Sequence, residues 1–102
     1  MDKFNQQEFN LLRKISKKPN ANQRELAAEM NVSLGKINYV LKALKNKGLI
    51  KINNFKNNPD KSGYLYLLTP KGMSEKTKIT IQFMRRKMEE YEELKKELNK
   101  NK

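Results

Sequence analysis

The chain has 102 residues and a formal net charge of +12, from 23 Lys and Arg against 11 Asp and Glu, and it contains no Cys and no His. This length supports one domain, with room for an appended helix. Without Cys or His, disulfides, thiolate metal sites, imidazole bases and ordinary zinc sites are excluded. We therefore predict a binding protein and no enzyme, with no catalytic residue, metal or cofactor. The positive charge predicts attraction to a polyanion, which can be DNA, RNA or an anionic membrane surface.

Membrane insertion and export do not fit the sequence. The longest apolar run is Tyr64–Leu68, far short of the roughly 20 residues that span a bilayer. Residues 1–8 lack the apolar stretch of a secretory signal. We expect a cytoplasmic protein with no membrane partner.

Helical spacing of apolar residues predicts a first helix that ends at Lys18, with Asn5 as its N-cap and Glu8 as the capping-box partner. Its apolar residues are Phe4, Phe9, Leu11, Leu12 and Ile15. Asn22 and Glu25 repeat the same start signal for a short second helix. The apolar face of that helix contains Leu26, Ala27 and Met30.

A third helix is predicted to begin after Ser33, a good N-cap, and to stop at Gly48. Its predicted buried side contains Leu34, Ile37, Val40, Leu41 and Leu44. The pattern then changes from a helical period to that of strands. Leu49, Ile50 and Ile52 begin a strand, residues 64–68 form a second one, and a polar stretch rich in Asn, Pro and Gly joins them into a hairpin.

Thr69 and Pro70 start a last helix that is predicted to run to about Asn99. At ~1.5 Å per residue its length is roughly 43 Å, too long to pack along so small a domain. Ile79 and Phe83 form one apolar face in its first half, which we expect to pack on the same chain. A second stripe follows a heptad spacing and is predicted to be a homodimer interface, with self-packing alone as the alternative. Its residues are Ile81, Met84, Met88, Tyr91, Leu94 and Leu98.

The predicted fold class is mostly α with a β-hairpin, in the order of a winged helix-turn-helix followed by a long C-terminal dimerisation helix. Residues 1–70 form the predicted DNA-binding domain, and residues 71–102 form the coiled-coil-like dimerisation element. Residues 1–72 hold 14 Lys and Arg against 5 Asp and Glu, whereas residues 73–102 hold 9 against 6. The positive excess therefore lies mainly on the domain that is expected to meet DNA.

The third helix is predicted to enter the major groove of double-stranded DNA with the face opposite its apolar stripe. Lys side chains can bind phosphate or guanine, and the Asn38 amide can pair with adenine. Gly35 allows the helix backbone to approach the DNA closely. The start of the second helix and the two sides of the hairpin tip are expected to contact the DNA backbone or minor groove. The predicted DNA-binding residues are Gln23, Arg24, Ser33, Gly35, Lys36, Asn38, Tyr39, Lys42, Asn46, Lys56 and Lys61.

Residues 33–50 resemble the reading helix and following strand of MarR-type regulators. The wing motif of that family, D-x-R-x-x-x-V-x-L-T-x-x-G, matches at four of six marker positions, and Ser62 replaces the arginine. Residues 34–39, 53–57 and 64–72 are similar to the short MarR-type proteins known as exopolysaccharide (EPS)-associated transcriptional regulators, and the resemblance covers roughly residues 5–95. It implies a bacterial-type transcription regulator. Larger MarR-type proteins carry dimerisation helices at both ends and often bind phenolic ligands, whereas here only the C-terminal helix is present, so no small-molecule effector is predicted.

The leading hypothesis is a homodimeric, sequence-specific DNA-binding transcription regulator. Two other hypotheses stay open. The first is an adaptor whose winged helix meets another protein, and the second is a non-specific architectural protein that binds DNA or RNA. Salt dependence of duplex binding separates the first from the DNA hypothesis, and comparison of random with selected duplexes separates the second.

Overall fold

The computed structural model describes residues 6–54 and 63–100, and for Asn54 it describes the backbone alone. Its elements, in chain order, are α1 (Gln6–Lys17), α2 (Gln23–Met30), α3 (Leu34–Asn46), β1 (Ile50–Asn54), β2 (Tyr64–Leu68) and α4 (Pro70–Lys100). The predicted order of three helices, a hairpin and a long helix is confirmed. The predictions for Asn5, Lys56 and Lys61 lie outside the described residues.

The helix-turn-helix is held by the capping residues that the sequence predicts. Asn22 Oδ1 accepts a hydrogen bond from the Glu25 backbone N–H at 2.8 Å, and Glu25 Oε1 accepts one from the Asn22 N–H at 3.1 Å. Ser33 Oγ accepts from the Lys36 N–H at 3.1 Å. Each bond satisfies a backbone donor that the first turn of a helix leaves without an intrahelical partner.

Gly48 ends α3, as predicted, with a φ of +75°. Its N–H donates to the Lys45 carbonyl at 2.9 Å, and the Leu49 N–H donates to the Leu44 carbonyl at 3.0 Å. This pair of bonds is the Schellman motif, which requires a left-handed residue that glycine adopts without steric cost. The motif turns the chain directly from α3 into the first strand.

The core lies between α1, α2, α3 and the hairpin. Its largest fully buried side chains are Leu11, Leu12, Ile15, Leu26, Ile37, Leu44 and Leu49. The predicted apolar stripe of α3 is confirmed for Ile37, Val40, Leu41 and Leu44, but the prediction for Leu34 is wrong, since this side chain is 43% exposed. Because α3 begins at Leu34 and helical side chains lean towards the N-terminus, this residue lies past the edge of the core.

The two strands pair antiparallel, with Ile52 opposite Tyr66. Ala21, between α1 and α2, extends the hairpin on its other side through a single bridge to Tyr66. The Tyr66 N–H donates to the Ala21 carbonyl at 3.0 Å, and the Asn20 N–H donates to the Tyr66 carbonyl at 3.1 Å. The hairpin is thereby fixed to the start of the helix-turn-helix.

Thr69 and Gly72 join the start of α4 to the end of α3. The Thr69 hydroxyl donates to the Gly48 carbonyl at 2.6 Å and accepts from the Gly72 N–H at 3.0 Å, so Thr69 caps α4. A Cβ at Gly72 would lie 2.0 Å from the Leu49 carbonyl oxygen. Glycine is therefore required for the backbones to approach this closely.

Among the residues that the structure describes, only the first half of α4 packs on the domain. Ile79 is buried, and the Phe83 ring meets the Phe9 ring edge to face, with centroids 4.9 Å apart and an interplanar angle of 82°. The helix has 31 residues, about 46 Å at the usual rise, and the molecule measures 65 × 26 × 22 Å. The outer half therefore projects beyond the domain. Among the described helices, none combines the length and the hydropathy that crossing a bilayer needs.

One buried carboxylate pairs across the core. Glu8 is 6% exposed, and its two carboxylate oxygens accept from Lys47 Nζ at 2.7 and 3.0 Å. This pair joins α1 to the C-terminal end of α3, where a cation also interacts favourably with the helix dipole.

Candidate nucleic-acid interface

The outward face of α3 contains polar and basic side chains opposite the buried stripe. Its exposed members include Ser33, Gly35, Lys36, Tyr39, Lys42 and Asn46, all of which the sequence predicted as DNA-binding residues. The helix contains three Lys and no Asp or Glu. The face is therefore uniformly positive, with no carboxylate of its own helix to repel a phosphate.

Lys36 and Tyr39 lie together at the start of this face. Lys36 Nζ is 5.8 Å from the centroid of the Tyr39 ring, within the range of a cation–π contact. The Tyr39 side chain is 70% exposed. Exposure of an aromatic ring to water is unfavourable, so this side chain is suited to contact the surface of a partner. Its hydroxyl can reach a phosphate, and the ring can pack on a thymine methyl group.

Asn38 occupies a more protected position beside this pair. Its Oδ1 accepts a hydrogen bond from Gln23 Nε2 at 2.8 Å. Gln23 also lies near the Tyr66 hydroxyl and affects its pKa, so α2, α3 and β2 meet at this point. Burial raises the pKa of the Tyr66 hydroxyl, and the nearby Gln23 side chain opposes that rise in part. Tyr66 therefore stays neutral at physiological pH. The hydrogen bond from Gln23 orients the Asn38 amide before any partner binds.

The Gln23 side chain takes part in this network, whereas the sequence predicts a phosphate contact for it. The sequence predicts that Gln23 and Arg24 lie at a phosphate because they begin α2. Both residues do begin α2, and Arg24 is exposed, but the Gln23 side chain is turned towards Asn38. The predicted contacts at Lys56 and Lys61 fall in the part of the hairpin that the structure does not describe.

A shallow groove of about 110 Å³ separates α3 from the hairpin. Its polar lining includes Asn38, Lys42, Lys45 and Tyr64. Sequence reasoning missed Lys45 and Tyr64. A signal for Lys45 existed, because it follows Asn38 by seven residues and so lies on the same side of the helix. Nothing in the local sequence places Tyr64 here, because its position depends on how the hairpin packs on α3.

A second cluster of basic residues, on α1 and α2, differs from the α3 face. Lys14 Nζ and Lys18 Nζ lie 3.4 and 3.1 Å from the two carboxylate oxygens of Glu29. Their hydrogen bonds and charges lower the pKa of the Glu29 carboxyl. Part of the positive charge on this surface is therefore neutralised within the domain, whereas the Lys residues of α3 form no ion pair with another described residue.

The predicted dimer stripe on α4 is exposed along its whole length. The side chains of Ile81, Met84, Met88, Tyr91, Leu94 and Leu98 are between 44% and 68% exposed. Six large apolar residues in one stripe form a patch that proteins usually cover with a partner. The structure places these residues together on one helix, separate in the chain from α3.

Comparison with known proteins gives one family match and several structural ones. Residues 4–51 match the family described as "Winged helix-turn-helix DNA-binding". No curated protein matches the sequence significantly. E. coli MarR in its apo form aligns with a TM-score of 0.67 at 26% identity, covering 74% of this chain and 55% of its own. Another MarR family transcription regulator aligns with a TM-score of 0.72 at 25% identity, covering 82% and 54%.

FabT of Streptococcus pneumoniae, whose structure was solved in complex with DNA, aligns with a TM-score of 0.70 at 23% identity. The alignment covers 86% of this chain and 59% of FabT. The chain thus spans little more than half the length of these three structures. The likeness to FabT is a likeness of fold.

Proposed function

We propose that the chain is a MarR-type winged helix-turn-helix protein, and that it is a sequence-specific, double-stranded-DNA-binding transcription regulator that acts as a homodimer. In this proposal α3 lies in the major groove, and the hairpin contacts the backbone or minor groove. The protein acts by binding and performs no catalysis. Regulation follows because a bound protein competes with, or assists, the transcription machinery at the same DNA.

The observation that carries the proposal is the outward face of α3. It combines exposed Lys36 and Lys42, an exposed aromatic ring at Tyr39, and the pre-oriented amide of Asn38. Phosphates attract the Lys ammonium groups regardless of sequence, whereas an amide and a tyrosine can distinguish bases. A face that serves only for solvation does not need an aromatic side chain that is 70% exposed.

Gly35 and Ser33 support the same orientation of α3. An added Cβ at Gly35 would meet only Ser33 Oγ, at 4.0 Å, so packing does not require glycine at this position. A glycine on the exposed first turn of a helix lowers helix propensity. Close approach of the DNA backbone to this turn gives the glycine a function. Ser33 and the N-terminal end of α3 lie at the same point, where the helix dipole favours an anion.

The homodimer is proposed on the exposed stripe of α4. Its apolar residues have no covering surface among the described residues, and a second copy of the same stripe can cover them. A dimer with twofold symmetry presents two reading helices to successive turns of the major groove, about 34–36 Å apart. Such a dimer favours a palindromic site. When one subunit has bound its half-site, the second subunit is held close to the other half-site. The dimer therefore binds the whole site more tightly than one subunit binds a half-site.

The test is the affinity for duplex DNA at two salt concentrations. Between about 50 and 200 mM salt we expect a loss of about a thousandfold if the dimer contacts six phosphates. The salt slope is the slope of log binding constant against log salt concentration. Lys42→Ala should reduce it by about one for each Lys42 that contacts a phosphate. Lys96→Ala removes the same charge from the outer half of α4 and should leave the slope unchanged. Weak binding with a flat salt dependence would overturn the proposal.

The alternatives predict other outcomes in the same measurements. A protein-binding adaptor shows the flat salt dependence. A non-specific architectural protein shows the steep dependence but binds random duplexes as tightly as any selected sequence. Sequence specificity is therefore tested separately from affinity.

A further inference from the structure

Charge is unevenly distributed along α4. Residues 71–87 contain six Lys and Arg and one Glu, whereas residues 88–97 contain five Glu and two Lys. The exposed apolar stripe crosses both segments. Two copies that pair along this stripe in parallel place basic against basic and acidic against acidic. Two copies that pair antiparallel place each basic segment against an acidic one, which is favourable.

We propose that two copies of the chain pair through α4 in an antiparallel orientation, with Arg85 of each copy beside Glu92 of the other. This inference rests on the homodimer proposed above and adds its orientation and register. Among the described residues neither Arg85 nor Glu92 forms an ion pair within its own chain. Both lie on the same flank of the stripe, since they are seven residues apart.

The heptad spacing selects the register. When Met88 faces the partner's Tyr91, every heptad core position of one copy, Lys95 included, lies opposite a core position of the other. The opposed positions are then Ile81 with Leu98, Met84 with Lys95, and Met88 with Tyr91. Lys95 packs its methylene groups against Met84 in this arrangement. In a parallel pair Lys95 would face the partner's Lys95 in the core, where the two ammonium groups repel each other.

The groove between α1 and α4 supports the same orientation. It has a volume of about 400 Å³, and its apolar lining includes Phe9, Phe83, Met84 and Met88. Lys87 lines it as well and lies on the flank of the stripe opposite Arg85. In the antiparallel register the residue next to Lys87 on that flank is the partner's Leu94. An apolar side chain that departs from the heptad core thereby gains an apolar groove to enter.

In a parallel pair the same groove would face the flank that carries Arg85 and Glu92. The partner's Glu92 would then lie beside Lys87, and Leu94 would lie beside the partner's Asn99. Arg85 would lie at a groove whose charged lining residues are Arg13 and Lys87, and a further cation desolvated there without a carboxylate beside it is costly. The groove and the charge pattern are independent features, and both favour the antiparallel pair.

Disulfide trapping tests the orientation, because the chain contains no Cys of its own. The variants Ile81→Cys and Leu98→Cys are purified separately, mixed and oxidised. The antiparallel register predicts a mixed disulfide between the two variants. It also predicts that Leu98→Cys alone stays unlinked, because the two copies of this position are 17 residues apart along the pair, about 26 Å. Efficient homodimer disulfides of Leu98→Cys alone, with no mixed product, would overturn the antiparallel proposal.

Charge reversal gives a second readout that needs no disulfide. Arg85→Glu should raise the dimer dissociation constant by about tenfold, since two symmetry-related pairs are reversed, and Arg85→Glu with Glu92→Arg should restore it. Glu93→Arg, on the side of α4 opposite the stripe, is the matched control and should change little. A double variant that is as weak as the single one would contradict the pairing. A wild-type chain that sediments as a monomer at all concentrations would instead overturn the homodimer itself.

Discussion

The helical domain and the outer half of α4 place the same types of apolar residue in opposite surroundings. Leu44, in the domain, is completely buried, whereas Leu94, fifty residues later, is 64% exposed. Both residues follow a regular helical pattern, so the periodicity alone does not distinguish them. The domain buries its apolar residues through its own contacts, whereas in the proposed homodimer the outer helix is covered by a partner.

The largest expected effect separates the two regions directly. Leu44→Ala should lower the free energy of unfolding by about 2–5 kcal/mol, because a buried leucine leaves a cavity. Leu94→Ala removes the same atoms from an exposed site and should leave the stability of a monomer almost unchanged. Thermal melts at several protein concentrations check this. Leu94→Ala should reduce the rise of the melting temperature with protein concentration and leave the melting temperature of dilute protein unchanged.

A comparable loss from Leu94→Ala in dilute, monomeric protein would show that the stripe packs within its own chain. This outcome would remove the contrast between the two regions. It would also remove the basis for the proposed homodimer.

The next effect concerns the start of α4, where the helix packs on the domain. Gly72→Ala should destabilise the protein by about 1–3 kcal/mol, because the new Cβ would overlap the Leu49 carbonyl oxygen. Gly35→Ala is the matched control on an open helix surface and should stabilise the domain by up to about 1 kcal/mol. Chemical denaturation checks both. If Gly72→Ala were neutral, the close approach of α4 to the end of α3 would be wrong.

Gly35→Ala also has a second readout. It should weaken duplex binding although it leaves the fold intact, because the proposed DNA backbone approaches this turn closely. The two glycine variants therefore separate a packing role from a contact role.

A smaller effect is expected on the outward face of α3. Asn38→Ala with Tyr39→Ala should reduce discrimination between a selected site and a random duplex by about 1–3 kcal/mol, with little loss of affinity for the random duplex. Tyr39→Phe, which keeps the ring beside Lys36, is the matched control for the hydroxyl. Competition binding measures the ratio. Unchanged discrimination in the double variant would place the reading face elsewhere.

The smallest effect is a pH dependence within the domain. Lys18 and Lys14 lower the pKa of the Glu29 carboxyl below its ordinary value of 4.5. Its charged form is therefore favoured by folding, and the resulting stability is present above pH 4.5 and is lost as the pH falls below it. Glu29→Gln should flatten the decline of the melting temperature in this range. Identical acid profiles for the two proteins would contradict the pairing.

Local features of the structure followed from the sequence, whereas contacts between distant residues did not. The capping residues Asn22 and Ser33 and the stop at Gly48 depend on neighbours within a few positions, and all three predictions are confirmed. The Glu8–Lys47 pair joins residues 39 positions apart. Nothing in the spacing of either residue indicates the other.

The candidate site divides in the same way. Helical spacing predicted which side of α3 faces outward, because burial of Ile37 and Leu41 fixes the opposite face. It did not predict that Gln23 holds the Asn38 amide, or that Tyr64 lines the adjacent groove. Both depend on how the hairpin and α2 pack on α3, and that packing is set by the whole core.

Selection of bound sequences from a random duplex pool tests the central claim most directly. The proposed reading domain and the proposed pairing of the outer helix with a second copy together predict an enriched inverted repeat with two equivalent half-sites. One such selection reports specificity, twofold symmetry and half-site spacing together. A pool that stays random after repeated selection, despite tight and salt-dependent binding, would contradict sequence-specific regulation.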